Sequence, residues 1–173
     1  GDPFGSGGSF TNAGTLNRTS GVAQTINALT NSGTFDVGAA PLTLNALTLS
    51  GTSGVIIGSG DITTGALTWG AGSRIGGSGL FTTTGATSVT GDVRLDGRTW
   101  NNSGTVTQNA SSEVRLLNGA LINNQTAATW NVASSSGNAL FGSFTEVGFN
   151  NAGTFNHSGS GGLNVVVNNS GTA

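Results

Sequence analysis

The stretch that decides the fold is Phe149-Asn150-Asn151-Ala152-Gly153-Thr154-Phe155, in which an apolar residue, two polar residues, a small residue, glycine and threonine follow one another. Near copies occur at residues 10–16, 29–35, 100–106 and 167–173. Degenerate copies between them give a period of about 20 residues, which indicates a solenoid. We therefore expect an all-β chain folded as a parallel β-helix (β-solenoid) of about eight to nine coils.

Asparagine occupies the same position of the motif in most full copies. Aligning the copies places these residues in one column: Asn12, Asn31, Asn102, Asn123, Asn151 and Asn169. In a parallel β-helix, equivalent residues lie about 4.8 Å apart, and an amide both donates and accepts hydrogen bonds. The column is therefore predicted to form a structural ladder along the axis. The glycine that follows is expected to turn the chain with a positive φ.

The spacing of the motif also predicts the domain organisation. Residues 1–9, rich in glycine and serine, are expected to form a flexible leader, and residues 10–173 a single β-solenoid domain. The interval over residues 52–65 is short. The interval over residues 126–153 is long, so we expect a protruding loop near residues 133–139.

The composition argues against several classes of function. The chain has a net charge of −2, only 7% charged residues, 31 glycines and no cysteine. Without a basic cluster we expect no nucleic-acid partner, and no apolar run is long enough to predict membrane insertion. The absence of cysteine excludes disulfides and thiolate metal sites.

Arginines recur at one offset in neighbouring coils. Residues 113–116 are predicted to lie over residues 92–95, which stacks Arg115 on Arg94, and Arg74 joins the column if one residue is skipped. Such a column is a candidate surface for sulfated or uronic polysaccharide. The alternative is a structural arrangement in which neighbouring acidic residues neutralise the arginines.

Acidic residues accompany these arginines in sequence. Asp92 and Asp96 resemble a catalytic carboxylate pair, but Arg94 and Arg98 are predicted to occupy them as ion-pair partners. With so few acidic residues in the chain, we expect no catalytic cleft and no enzyme.

Two further features are candidates for chemistry. The single histidine, His157, would need Asp36 or Glu146 from another coil to act in catalysis or metal binding. The segment Gly58-Ser59-Gly60-Asp61 resembles a calcium-binding repeat but occurs once. We therefore expect no catalytic, cofactor-binding or metal-binding residues.

Threonines suggest another alternative. Flat arrays of Thr-x-Thr on a solenoid face bind ice, and Thr43, Thr48, Thr63 and Thr83 are candidates for such an array. The array is incomplete, because asparagine replaces threonine in most coils of the Thr83 column.

The units NNSGT, NNAGTF and TNSGTF, together with the order of residues 96–105 followed by Leu117-Asn118-Gly119-Ala120, resemble the repeat regions of large bacterial exoproteins. These are the filamentous-haemagglutinin-type and autotransporter-type adhesins. The resemblance covers most of the chain from Phe10 onward. It implies a right-handed β-helix that is secreted or held at the cell surface as a stalk, matrix or adhesive surface.

The resulting expectation is an extracellular structural or adhesive β-solenoid. Its expected partners are itself, by head-to-tail stacking or by continuation of a longer chain, and host or matrix glycans. The alternative is a carbohydrate-binding or polysaccharide-cleaving β-helix that uses the arginine column and the loop after Val132 as its site. The third candidate is an ice-binding solenoid.

Overall fold

The structure is a computed structural model that describes residues 8–19, 21–142 and 148–173. These residues form strands and no helix. The strands are β1 (Ser9–Asn12), β2 (Thr15–Asn17), β3 (Gln24–Asn31), β4 (Thr34–Asp36), β5 (Leu42–Leu49), β6 (Val55–Ile57), β7 (Ile62–Trp69), β8 (Arg74–Gly76), β9 (Leu80–Thr83), β10 (Ala86–Val89), β11 (Val93–Asp96), β12 (Thr99–Asn102), β13 (Thr105–Gln108), β14 (Val114–Leu117), β15 (Leu121–Asn124), β16 (Thr129–Val132), β17 (Asn138–Gly142), β18 (Gly148–Asn151), β19 (Thr154–His157), β20 (Gly162–Asn164) and β21 (Val166–Asn169).

Each winding of the chain contributes one segment to each of three faces. Face I contains the first halves of β3, β5 and β7, followed by β9, β12, β15, β18 and β21. Face II contains β1, the second halves of β3, β5 and β7, and then β10, β13, β16 and β19. Face III contains β2, β4, β6, β8, β11, β14, β17 and β20.

Strands on every face pair in parallel with the next winding. Face III is a sheet of 8 strands, one for each winding. The predicted β-solenoid is therefore confirmed, with about eight windings in the described residues.

The long strands β3, β5 and β7 bend where face I meets face II. In β3, Asn27 and Ala28 both turn away from the core and interrupt the alternation of inward and outward side chains. Asn45 and Ala46 do the same in β5. From β9 onward, a short turn replaces this bend.

Inward side chains stack in columns of similar residues. The column on face I is Leu42, Ile62, Phe81, Trp100, Ile122 and Phe149, and the column on face III is Phe35, Ile56, Ile75, Leu95 and Leu116. Each of these side chains is at most 1% exposed. Burying one contributes about 1.5–3 kcal/mol, so the columns hold the windings together.

Aromatic rings form a continuous stack near the middle of the solenoid. The ring centroid of Trp100 lies 5.5 Å from that of Trp69 and 4.8 Å from that of Trp130. Trp130 in turn lies 5.2 Å from Phe149. These separations are typical of favourable aromatic pairs, each worth about 0.5–1.5 kcal/mol beyond the area buried.

The predicted register of the charged segments is confirmed. In β11 and β14, Arg94 pairs with Arg115, and the flanking positions pair valine with valine and leucine with leucine. Arg74 pairs with Arg94 one winding earlier. The arginine column therefore exists as predicted.

The predicted single column of asparagines is wrong. Asn12 and Asn31 pair with each other at the corner between faces II and III. Asn102 instead pairs with Asn124 at the corner between faces I and II, while Asn123 pairs with Asn101 in the neighbouring column.

The reason is that the chain uses the same motif at two corners. Asn151 and Asn169 continue the column of Asn102, whereas the column of Asn31 continues through Leu49 and Trp69. The short interval at residues 52–65 marks the change of corner. The windings themselves range from 18 to 27 residues.

Most motif glycines are needed for close approach of backbones, not for the positive φ that was predicted. Gly33 and Gly104 have no positive φ. A Cβ at Gly33 would overlap the carbonyl oxygen of Gly14, and one at Gly104 would overlap that of Gly85. Gly51 does have a positive φ, of 74°.

The predicted leader and loop can be placed only in part. Residues 1–7 of the leader and residues 143–147 lie outside the described residues, and Ser9 belongs to β1. Residues 133–137 connect β16 to β17 and match residues 109–113 of the preceding winding in number. Ser134 is fully buried and donates to the carbonyl oxygen of Ser112 at 2.5 Å, so this segment packs along that winding.

Candidate functional surfaces

A buried asparagine ladder runs along the corner between faces I and II. The Nδ2 of Asn102 donates to the Oδ1 of Asn124 at 2.8 Å, Asn124 donates to Asn151 at 2.7 Å, and Asn151 donates to Asn169 at 2.7 Å. The same Nδ2 groups donate to backbone carbonyls, as Asn124 does to Thr154 at 3.0 Å. Every Nδ2 therefore points toward the C-terminal edge, and the buried amides are satisfied.

Two other ladders share this chemistry. Asn12 donates to Asn31 at 2.8 Å at the corner between faces II and III. On the outside of face I, successive side chains donate at 2.9 Å each along a third ladder, formed by Asn101, Asn123, Asn150 and Asn168. The predicted structural ladder is thus three separate ladders.

Arg98, which the sequence predicts as an ion-pair partner of the nearby aspartates, is instead a buried cation at the corner between faces III and I. Its side chain is 0% exposed. The Nε donates to the carbonyl oxygen of Gly76 at 2.7 Å, and the Nη2 donates to that of Gly58 at 2.7 Å. The Nη1 donates to the carbonyls of Gly60 at 3.0 Å and Leu80 at 3.2 Å. Arg98 thus ties its own winding to the two that precede it.

Burial lowers the pKa of Arg98 to about 10, and the negative charge of Asp61 acts in the opposite direction. The guanidinium therefore remains charged at neutral pH. Such a charge inside the protein requires compensation, which four backbone carbonyl dipoles supply here.

Arg18 plays a similar role in the first winding, directly after β2. It is 6% exposed, and its guanidinium donates to the carbonyl oxygens of Ala40 and Pro41 in the next winding. Burial also lowers its pKa. For Arg98, the signal in the sequence is the pair of glycine-rich segments at 58–60 and 76–79, which leave backbone carbonyls accessible at this corner.

These contacts overturn one candidate site. The segment 58–61 resembled a calcium-binding repeat, but the carbonyl oxygens of Gly58 and Gly60 accept hydrogen bonds from Arg98. The Oδ1 of Asp61 accepts the N–H of Leu80 at 2.9 Å. A guanidinium therefore occupies the oxygens that a calcium ion would need.

The arginine column lies on face III and is largely neutralised. Arg74 contacts Asp96 at 2.8 Å, and Arg115 forms an ion pair with Glu113. Arg94 lies between them and donates to the carbonyl oxygen of Gly72 at 3.3 Å. Among the described residues, Arg94 is the exposed arginine of this column without an ion pair.

The predicted ion pairs of Asp92 with Arg94 and of Asp96 with Arg98 are not formed. Arg98 turns into the corner instead of lying outward. Asp96 contacts Arg74 and accepts a hydrogen bond from the Nδ2 of Asn118 at 2.6 Å. The partner of Asp96 therefore comes from a neighbouring strand in the preceding winding and not from its own strand.

Among the described residues, the charged residues that lie within strands are confined to face III. The strands of face I contain no charged residue, and those of face II contain only the titratable His157. The strand charges are on face III, at Asp36, Arg74, Arg94, Asp96 and Arg115. The strands of faces I and II therefore present long surfaces without acidic residues, lysine or arginine, and the exposed Asp61 lies beside face I, directly before β7.

Face II presents two outward columns of small and hydroxyl-bearing residues. The first is Ser9, Ala28, Ala46, Ala66, Ala86, Thr105, Thr129 and Thr154, and the second is Thr11, Thr30, Thr48, Thr68, Ser88, Thr107, Asn131 and Asn156. Because the columns follow the strand geometry, their members repeat about every 4.8 Å between windings and about every 7 Å along a strand.

The threonines predicted to form an ice-binding array do not lie on one face of the solenoid. Thr48 lies on face II, whereas Thr43 and Thr63 lie on face I. Thr83 is 0% exposed and donates to the Oδ1 of Asn102 at 3.0 Å, so it belongs to the buried ladder.

The described residues bring together no group that resembles a metal site. No cluster of three or more histidine, cysteine or acidic residues occurs among them. His157 lies in the last strand of face II, whereas Asp36 lies on face III near the first windings. Glu146 is outside the described residues.

Comparison of the chain with protein-family models, curated proteins and solved structures gives no match. Within the described part of the chain, no helix has the length and apolar character needed to cross a membrane. What the geometry establishes is a repeat protein of the β-solenoid type.

Strand β21 contains two exposed valines. Val167, which faces inward, is 40% exposed, and Val166, which pairs with Gly148 in an outward column, is 53% exposed. Phe149, which precedes Val167 in the same column, is 0% exposed. A cleft of about 500 Å³ lies beside β18 and β21 and is lined by Asn151, Val167 and Asn169 among others.

Proposed function

We propose that this chain is a rigid structural element of a secreted or cell-surface protein, in which the uncharged faces act as an adhesive surface. The observation that carries the proposal is the segregation of charge, because the strands of faces I and II contain no acidic residue, lysine or arginine. The resemblance of the motif to adhesin repeat regions supports the same function.

The scaffold has the properties that a stalk requires. Backbone ladders on three faces, the buried asparagine ladder and the aromatic stack all run along one axis. Each winding contacts mainly its neighbours, so length can increase without a change of architecture. A rod of this kind holds an adhesive surface away from the cell.

The proposed ligands are neutral glycans of a host or a matrix. Hydroxyl and amide groups recur on faces I and II, as in Thr107 and Asn123, and these groups donate to and accept from sugar hydroxyls. Binding by such groups should depend little on ionic strength, because no charge is screened.

Adsorption to polysaccharide films tests this proposal. The purified chain should bind films of neutral cellulose or dextran, and binding should persist at high salt. A triple variant, Thr30→Lys, Thr48→Lys and Thr68→Lys, places charge on face II and should bind at least about tenfold less, because lysine must be desolvated on contact. The matched control, Thr15→Lys, Thr34→Lys and Val55→Lys, adds the same charge to face III and should bind as the parent does.

Two results would contradict the proposal. One is no binding to any neutral film. The other is salt-sensitive binding to heparin alone that is lost in Arg94→Ala, which would favour the carbohydrate-binding alternative on face III.

The two outward columns of face II favour ice as a second candidate ligand. These columns carry hydroxyl and methyl groups at regular spacing, for example in Thr105 and Thr107, without a charge to disturb ordered water. Thermal hysteresis of the chain, abolished by the face II lysine variant and retained by the face III control, would support this candidate. Absence of thermal hysteresis in the parent chain would exclude it.

A further inference from the structure

The outward asparagine ladder of face I forms a regular row of amide groups. Its members, which pair in register from winding to winding, are Asn101, Asn123, Asn150 and Asn168. The Nδ2 of Asn123 donates to the Oδ1 of Asn101 at 2.9 Å, and the Oδ1 of Asn123 accepts from the Nδ2 of Asn150 at 2.9 Å. The amides are therefore joined by hydrogen bonds along the outside of the solenoid.

The ladder keeps hydrogen-bonding capacity on its outer side. An asparagine amide has two N–H groups, and its oxygen has two lone pairs. The bonds along the ladder use one N–H group and one lone pair of Asn123. Asn101, Asn123 and Asn150 are half-buried, so solvent reaches their side chains. Asn123 therefore retains one donor and one acceptor for a ligand, and its neighbours in the ladder repeat this arrangement.

The period of the ladder matches that of a ligand whose units are themselves linked amide to amide. Such hydrogen bonds set the distance between the units that they join, at about 4.8 Å in sheets and amide ladders. In chitin, an N-acetylated polysaccharide, acetamido groups link neighbouring chains by bonds of this kind. Because the asparagines are already held by one another, binding such a layer orders few side chains.

Leucines beside the ladder supply apolar contact for a sugar ring. The outward column two residues earlier in each strand is Leu80, Thr99, Leu121 and Gly148. Leu80 is 45% exposed, and Leu121 is half-buried. The C–H face of a sugar ring is apolar, so contact with these side chains removes apolar surface from water.

Charge and width also favour a neutral polymer. The strands of face I contain no acidic residue, lysine or arginine, which suits an uncharged ligand. From β9 onward each of these strands has 4 residues, a length of about 13 Å. A standard protein interface of about 800 Å² on each partner needs a patch roughly 28 Å across. The strip is therefore narrow for a globular partner, whereas extended chains can cover it winding by winding.

We propose that face I binds a layer of N-acetylated polysaccharide chains, with acetamido groups hydrogen-bonded to the asparagines of the outward ladder. This inference rests on the proposed adhesive function and specifies the class of glycan. The polysaccharide chains lie parallel to the strands, one for each winding, and the hydrogen bonds between their amides run along the solenoid axis. A polysaccharide without acetamido groups lacks this amide contact.

Binding isotherms on films of chitin and cellulose test the proposal. The parent chain should bind chitin at least about tenfold more tightly than cellulose, because cellulose offers hydroxyl groups but no acetamido groups. The preference should persist at high salt, because neither the ligand nor the strands of face I carry a charge to be screened.

The triple variant Asn101→Thr, Asn123→Thr and Asn150→Thr removes amides from the ladder. Threonine already occupies the same column in earlier windings, at Thr25, Thr43, Thr63 and Thr82. The variant should therefore fold, and it should bind chitin no more tightly than cellulose. The matched control, Asn131→Thr and Asn156→Thr, removes an amide pair from face II and should keep the preference for chitin.

Circular dichroism and melting curves establish that each variant is folded. If the triple variant does not fold, Asn123→Thr alone takes its place and should lower the preference for chitin by at least about threefold. Equal binding of the parent chain to chitin and cellulose would overturn the proposal, as would a folded triple variant with the full preference for chitin. Either result leaves the proposed function intact, because adhesion to cellulose and dextran is measured on the same parent chain.

Discussion

The side-chain amide of Asn102 donates to Asn124 in the next winding at 2.8 Å, and not to Asn123, which the motif alignment places above it. The alignment fails because residues 125–128 replace the two-residue turn at 103–104. Ala128 takes the position of the motif glycine, and Ala127 adopts a φ of 68°. The buried ladder therefore continues across a turn of different length.

Replacement of Asn124 by alanine should lower the free energy of unfolding by about 2–3 kcal/mol, because Asn151 and the carbonyl of Thr154 lose a buried donor. Asn123→Ala, which removes an outward amide of the same type, should cost only about 0.5 kcal/mol. Urea denaturation of both variants measures the difference. Equal losses would mean that the two asparagines do not lie on opposite sides of the sheet.

Replacement by alanine should have different effects on stability at two motif glycines. Gly33→Ala places a methyl group against the carbonyl oxygen of Gly14 and should destabilise the chain by about 2–4 kcal/mol. Gly14→Ala meets no atom within 4 Å and should leave stability unchanged or raise it by up to about 1 kcal/mol. Thermal unfolding distinguishes them, and a harmless Gly33→Ala would contradict the close stacking of the corners.

The buried guanidinium of Arg98 should contribute far more to stability than an exposed arginine. Arg98→Met leaves up to four backbone carbonyls without a donor and should cost about 3–5 kcal/mol. Arg94→Met, on the outside of face III, should change stability by no more than about 0.5 kcal/mol. Comparable effects in urea denaturation would place Arg98 at the surface.

Replacement of Trp100 by leucine should remove the centre of the aromatic stack. The near-ultraviolet circular dichroism should lose most of its intensity, because Trp69 and Trp130 no longer share a neighbour at 5.5 and 4.8 Å. The far-ultraviolet spectrum should keep its β signal. An unchanged near-ultraviolet spectrum would mean that the three indoles are not coupled.

The features of the structure that could be predicted are those that depend on the repeated sequence motif. The period, the alternation of inward and outward residues, and the stacking of Arg94 on Arg115 all follow from like residues at like offsets. The corner at which a motif lies does not follow, because Asn-x-Gly-Thr satisfies the backbone equally at either corner, as at Asn31 and Asn102.

The buried position of Arg98 also could not be predicted from the alternation of inward and outward residues. Alternation along residues 92–98 places its side chain outward, but the positive φ of Gly97 turns the chain at that point. The guanidinium then enters a corner that glycines of two earlier windings leave open, at Gly58 and Gly76. Such a contact links residues up to 40 positions apart and is visible only once the windings are stacked.

The measurement that tests the stacking most directly is a series of spin-label distances along one column of face II. Labels at Thr30 paired in turn with Thr107, Asn131 and Asn156 should lie about 19, 24 and 29 Å apart at the backbone, a rise of about 4.8 Å for each winding. Distances that fail to rise in equal steps, or that fall between Asn131 and Asn156, would contradict the β-solenoid and every inference drawn from it.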